Sequence, residues 1–175
     1  MDNKLEKQFH LTSVFKDALP NSSWTSGEIK VVMSLFAYLD EYKIYLPSFN
    51  SQEEINVLIK KIPLEYSMSK SEFIKVTNID VSNFSREIKA IRIGLAKKLF
   101  NTPHPTDPHK DSGESIAWFS KISYTAKESK LVFKINSDAL ENLVSFVKYS
   151  KIKYEYIKPL KSNYTIYTYL FLKII

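Results

Sequence analysis

Arg86, Lys89 and Arg92 follow one another at three-residue steps in SNFSREIKAIR, behind Ser82, Asn83 and Ser85. On a helix these residues suit the binding of a polyanion rather than the making or breaking of a bond. A guanidinium such as that of Arg86 has the reach and the fork for phosphate or for a guanine edge, whereas Lys89 offers a point charge. Serine and asparagine near a helix start bond phosphate oxygens together with the backbone N–H groups of the first turn. The competing reading is a solvated face on which Arg86 and Lys89 merely flank Glu87.

The segment 69–100 must position them. Ser69 with Glu72 fits the Ser-x-x-Glu capping box and opens a short helix through Phe73, Ile74 and Val76. TNID (77–80) reads as a turn, because Asn and Asp tolerate the left-handed backbone and bond their own main chain. The next helix is expected to start at Asp80 or Ser82 and to run through VSNFSREIKAIRIGLAKKLF. Phe84, Ile88, Ile91, Leu95 and Leu99 would form one buried stripe. Arg86, Lys89, Arg92 and Lys97 lie mostly off it. A short capped helix, a turn and a helix buried on one side and basic on the other outline a helix-turn-helix. An ordinary amphipathic pair with a lysine-rich outer face would show the same pattern.

SIAWFSKISYT (115–125) and KLVFKIN (130–136) read as two strands joined by AKES, a hairpin after the helix pair. LEYSM (64–68) alternates as a short strand before it. Strand, helix, turn, helix and hairpin make an α+β winged helix-turn-helix whose wing tip carries Lys127 and Lys130. Ser69 and Lys70, at the start of the first helix, join Ser82, Asn83, Ser85, Arg86, Lys89, Arg92, Lys127 and Lys130 as candidates for contact with double-stranded DNA.

Charge distribution agrees. The net charge is +6, but residues 1–61 hold seven Lys/Arg against eight Asp/Glu. Residues 62–100 hold seven against four, and residues 101–175 eleven against seven. The excess begins where the helix pair begins, and it would supply salt-dependent attraction to nucleic acid. Lys121 and Lys134 on the hairpin, and Lys148, Lys151, Lys153, Lys158 and Lys161 in KYSKIKYEYIKPLK, could follow a phosphate backbone. Exposed lysines are equally often solvated with little energetic role. Tyr149, Tyr154 and Tyr156 interleave with this stretch, and Tyr154 and Tyr156 alternate as on a strand.

Several chemistries find no support. There is no cysteine, hence no disulfide framework and no thiolate. With glycines only at 27, 94 and 113, no phosphate-binding Gly-x-x-x-x-Gly-Lys loop can form. No Gly-x-Ser-x-Gly elbow and no His-x-His strand is present, which leaves a serine hydrolase or a rolling-circle nickase without its machinery. His104, Asp107, His109 and Asp111 resemble metal ligands by type, but NTPHPTDPHKDSG with its three prolines would hold them poorly. The chain is therefore expected to be no enzyme and to need no metal or cofactor. No run of about 18 apolar residues and no signal peptide are present, so the protein is expected to be soluble and cytoplasmic, with no membrane partner.

The other elements follow from caps and periodicity. A helix is expected over 5–19, ending before Pro20, and another after the capping box of Thr25 and Glu28, through EIKVVMSLFAYLDEY. A short helix should cover 52–61. Residues 101–113 read as a flexible loop. Ser137 or Asp138 should cap a helix through Leu140, Leu143, Val144 and Val147, and Ser162 a last one, NYTIYTYLFLKII. In that helix Tyr164, Tyr167, Phe171 and Ile174, at helical spacing, could serve an interface or the core.

The order of elements, the strings at 65–100 and 116–135, and LKSNYTIYTYLFLK (160–173) resemble the N-terminal domain of plasmid replication initiators that bind iteron repeats. These are the Rep proteins built from two winged helices. Leu160, Lys161, Ser162, Tyr164, Tyr169, Leu172 and Lys173 agree with the family's Leu-Lys-Ser-x-Tyr signature. Tyr167, Thr168 and Leu170 replace its usual Arg, Leu and Glu. The resemblance implies monomers that bind directly repeated origin DNA and recruit host replication proteins, and homodimers that repress their own promoter. It implies backbone contact and dimerisation by the first winged helix and base reading by the second. The chain is then expected to be one winged-helix domain over 1–175, with residues 1–10 mobile. It would be the N-terminal domain of a longer initiator whose second winged helix lies outside it. A dimeric winged-helix transcription regulator is the alternative; tandem direct repeats beside the gene would favour the initiator, one inverted repeat the regulator.

Overall fold

The computed structural model describes residues 8–12, 23–103, 106, 107, 109, 112–147 and 149–174. Its chain order is β1 (Gln8–Thr12), α1 (Ser26–Leu39), β2 (Ile44–Tyr45), α2 (Gln52–Ile59), β3 (Glu65–Ser69), α3 (Lys70–Thr77) and α4 (Phe84–Leu95). There follow β4 (Leu99–Pro103), β5 (Gly113–Ala117), β6 (Phe119–Thr125), β7 (Lys130–Ile135), α5 (Ser137–Val144), β8 (Ser145–Phe146), β9 (Tyr149–Lys153), α6 (Tyr154–Ile157) and α7 (Asn163–Ile174).

Helix α1 is the centre. Its start is fixed by the expected capping box: the Glu28 amide donates to Thr25 Oγ1 at 3.2 Å, and the Thr25 amide to Glu28 Oε2 at 2.8 Å. It is apolar nearly all round, and such a helix belongs inside. Helices α3, α4, α6 and α7 and strand β1 pack against it. Trp118, fully buried, meets Trp24, Phe36 and Phe100 edge to face at 5.5, 6.2 and 5.5 Å.

The wing is a three-stranded antiparallel sheet ordered β3-β7-β6. Tyr66 pairs with Phe133 and Met68 with Leu131, all four turned inward and buried, so the alternation of LEYSM holds. Residues 115–125 are not one strand. The chain leaves the ladder at Trp118, whose amide donates to the Lys98 carbonyl while its carbonyl accepts from Asn136. Burying that indole divides β5 from β6.

Four further expectations are corrected. Residues 8–12 are a strand, not part of a helix over 5–19: Phe9 and Leu11 alternate into the core, and β1 pairs antiparallel with β9. Residues 13–19 lie outside the described residues. The second helix of the pair ends at Leu95 rather than Phe100, and Leu99 is 46% exposed. Strand pairing wins there because it buries Phe100 against Trp118. Residues 101–113 are not all loop, since β4 and β5 pair from Leu99↔Ala117 to Pro103↔Gly113. Helix α5 is capped one residue early by Asn136, whose side chain accepts from the Asp138 amide, and stops at Val144; Val147 is exposed.

Candidate nucleic-acid interface

The first helix of the pair is built as its sequence suggests. The Glu72 amide donates to Ser69 Oγ at 3.2 Å and the Ser69 amide to Glu72 Oε2 at 2.7 Å. It ends on Asn78, which is left-handed at φ 56° and donates its amide to the Ile74 carbonyl at 2.9 Å. Asp80 Oδ1 then accepts from the Ser82 amide at 2.8 Å and from Ser82 Oγ at 2.6 Å. These bonds from Ser82 hold the Asp80 carboxyl below its ordinary pKa. They set a 3₁₀ turn, Val81–Asn83, so the α-helix proper opens only at Phe84. Ser82 is thereby occupied within the turn, and Ser69 within the cap.

Phe84 joins three elements. Its ring meets Phe73 of α3 edge to face at 5.6 Å and Tyr124 of β6 at 5.6 Å. Lys70 Nζ stands 4.7 Å above the same ring. The Lys70 amide donates to the Ser129 carbonyl in the wing turn at 2.9 Å, and Ser69 pairs with Lys130 in the β3-β7 register. Phe84 therefore brings the start of α3, the start of α4 and the wing tip to one end of the molecule. Ser69, Lys70, Ser82, Asn83, Ser85, Arg86, Lys127 and Lys130 gather there.

On α4 the stripe Phe84, Ile88, Ile91 and Leu95 is buried, while Ser85, Arg86 and Lys89 face outward. Arg86 reaches Glu87 at 3.5 Å, between two solvent-facing groups, an arrangement of little energetic weight. Arg92, further along the helix, is half-buried. The wing lysines Lys121, Lys127, Lys130 and Lys134 are exposed, and Lys121 stands directly opposite Lys134. Facing like charges cost stability that an anion would return.

The second basic stretch divides. Lys151 lies outward on β9, where Ile152 is buried. Tyr154 and Tyr156 do not alternate on a strand: both are in the one-turn helix α6, Tyr154 buried and Tyr156 exposed. Lys148 lies outside the described residues. So do His104 and Asp111, while Asp107 accepts from the His109 amide at 3.0 Å and from Ser112 Oγ at 2.5 Å. Among the described residues no three His, Asp or Glu side chains are placed to hold a metal ion. In α7, Tyr164 and Phe171 are exposed, whereas the Tyr167 hydroxyl turns in toward the Trp24 carbonyl at 3.5 Å. No helix of the described residues is long and apolar enough to cross a membrane.

Sequence reasoning missed the buried polar residues that support the pair. Lys98, read as part of the basic helix, points into the core beside Glu28, and Lys30 sits within the apolar run of α1. An unbroken apolar helix containing one lysine was the available signal for the second.

No curated protein sequence matches the chain. Among solved structures it is similar to one described as the crystal structure of Pi initiator protein in complex with iteron DNA, with a TM-score of 0.66 at 12% identity. The match covers 96% of this chain and 64% of that one, so the chain spans less than two thirds of that initiator. At this identity the likeness speaks for the fold, a winged helix. The family model described as Initiator Replication protein, WH1, matches residues 19–173, and the chain belongs to that family.

Proposed function

We propose that this chain is a winged-helix domain of a plasmid replication initiator that grips the backbone of double-stranded origin-repeat DNA through the end of the molecule organised by Phe84. One observation carries the reading: Lys70 of α3 and Tyr124 of the wing strand β6 meet at a single ring, that of Phe84 in the first turn of α4. The family supplies the setting, and the Pi initiator, whose structure was solved with iteron DNA, shares the fold. Ser85, Arg86 and Lys89 meet phosphates from α4, and Lys127 and Lys130 from the wing. Asn83, Ser82 and Ser69 contribute mainly by shaping the backbone around them, and Arg92 stands at the margin.

The same reading includes a homodimer that represses its own gene, base reading by a second winged helix, recruitment of host replication proteins and a cytoplasmic site of action. It assigns no catalytic residue and no cofactor.

The test is salt-titrated binding to a duplex of the direct repeats beside the gene. Arg86→Ala, Lys89→Ala and the pair Lys127→Ala with Lys130→Ala should each weaken binding and flatten the salt dependence by about 0.9 for each phosphate left without its cation. Wild-type affinity and slope in all three would remove this end of the molecule from the DNA.

A further inference from the structure

The last turn of α3, which sets the direction of α4, is held from outside by two buried side chains far away in sequence. The Tyr154 hydroxyl, in α6, donates to the Val76 carbonyl at 2.5 Å, and Lys30 Nζ, in α1, donates to the next carbonyl, Thr77, at 3.3 Å. Tyr154 is 2% and Lys30 3% exposed. The same turn is closed internally, with Thr77 Oγ1 on the Phe73 carbonyl at 2.7 Å and the Asn78 amide on that of Ile74. Two consecutive carbonyls at a helix end are groups that ordinarily face water. Here each meets a side chain from a different element.

A lysine is a costly way to satisfy a carbonyl in the interior, because its charge must be taken out of water. That cost becomes useful when the geometry must not drift: a turn that moves away leaves a buried ammonium with no acceptor. The negative end of the α3 dipole also favours a cation at this place. Tyr154 follows directly on β9, so its bond ties the turn to the β1-β9 pair as well. The hydroxyl and the ammonium together leave the α3-α4 junction one low-energy arrangement.

We infer that Lys30 and Tyr154 are positioning residues for DNA binding, a clamp that presents α4 in its binding orientation before DNA arrives. The inference rests on the proposed placement of α4 against DNA. Neither residue touches the duplex, so replacing either leaves the phosphate-binding cations in place and the number of released counterions unchanged. The effect is on preorganisation, since a freer helix pair must be ordered on binding.

Tyr154→Phe and Lys30→Met keep volume and remove one donor each, which makes them two independent probes in the full chain. Each should stay folded by circular dichroism and bind the repeat duplex about 2–10-fold more weakly, the scale of one missing hydrogen bond. The salt slope should stay that of the wild type, whereas Arg86→Ala should flatten it. Amide exchange should quicken at residues 77–84 and nowhere else. A folded variant that exchanges like the wild type at 77–84 overturns the inference. So does a folded variant with wild-type affinity while Arg86→Ala binds more weakly. If Arg86→Ala and Lys89→Ala both bind as the wild type, the DNA placement itself fails, and the exchange measurement alone judges the clamp.

Discussion

Lys98 Nζ lies 3.2 Å from Glu28 Oε2, with both side chains buried. The contact staples the turn that follows α4 to the start of α1. Lys98 also donates to the Ser23 carbonyl and stands 4.9 Å above the Trp24 ring. Glu28 meanwhile closes the cap on Thr25. Gly94 makes room for this arrangement, since a Cβ there would fall on the Glu28 carboxylate.

The pair predicts an asymmetric response to mutation. Lys98→Met strands a buried carboxylate and should cost about 3–5 kcal/mol, while replacing both partners by apolar residues of similar volume should cost less than the single change. Gly94→Ala should cost about 1–3 kcal/mol by forcing the carboxylate aside. Urea denaturation measures all three. A Lys98→Met protein within about 1 kcal/mol of the wild type, the scale of a surface pair, would show that the contact is solvated after all.

This staple also explains where the sequence was legible and where it was not. Both capping boxes, the turn at Asn78, the α4 stripe to Leu95 and the wing hairpin rest on interactions within a few residues, and such signals survive in a one-dimensional pattern. The end of α4 depends instead on Glu28, 70 positions before Lys98, and on the pairing of β4 with a strand beyond the proline-containing stretch of the sequence. KKLF reads as helix until those distant partners are known. Strand β1 has the same difficulty, because QFHLT alternates only over five residues and its partner β9 lies at the other end of the chain. Among the candidate site residues, those on the α4 face were readable by periodicity. The gathering of Lys70 with the wing tip follows from the Phe84 contacts and no local motif states it.

Asn78 is the hinge of the helix pair, at φ 56° and ψ 40°. For a residue with a Cβ and no side-chain compensation that region costs about 1–2 kcal/mol, and for glycine nothing sterically. Asn78→Ala should therefore lower stability by about 1 kcal/mol. Asn78→Gly should remain within about 0.5 kcal/mol of the wild type, its steric gain set against a freer unfolded chain. Chemical denaturation of the two variants side by side checks the sign. Equal stability of the alanine and glycine proteins would mean that the turn relaxes out of the left-handed conformation at no cost.

The core tyrosines predict the behaviour at alkaline pH. Burial pushes the phenols of Tyr66 and Tyr154 well above their ordinary value of 10.0, because the ionised form would lose its water. Above pH 10 the unfolded chain releases these protons while the folded chain keeps them, so stability present below pH 10 is lost as the pH rises toward the folded values. Each tyrosine contributes a fall of up to about 1.36 kcal/mol per pH unit in that window. Lys30 acts in the opposite sense. Burial first, and Lys158 second, lower its pKa from 10.5, so between its folded value and 10.5 its deprotonation in the folded chain adds stability as pH rises. Urea midpoints measured from pH 8 to 11 should thus fall above pH 10 in the wild type. Tyr154→Phe and Tyr66→Phe should each make that fall shallower, and Lys30→Met should make the decline begin at lower pH. A wild-type slope in both phenylalanine variants would mean that water reaches the two hydroxyls in the folded protein. The Val76 carbonyl would then be held by solvent rather than by Tyr154.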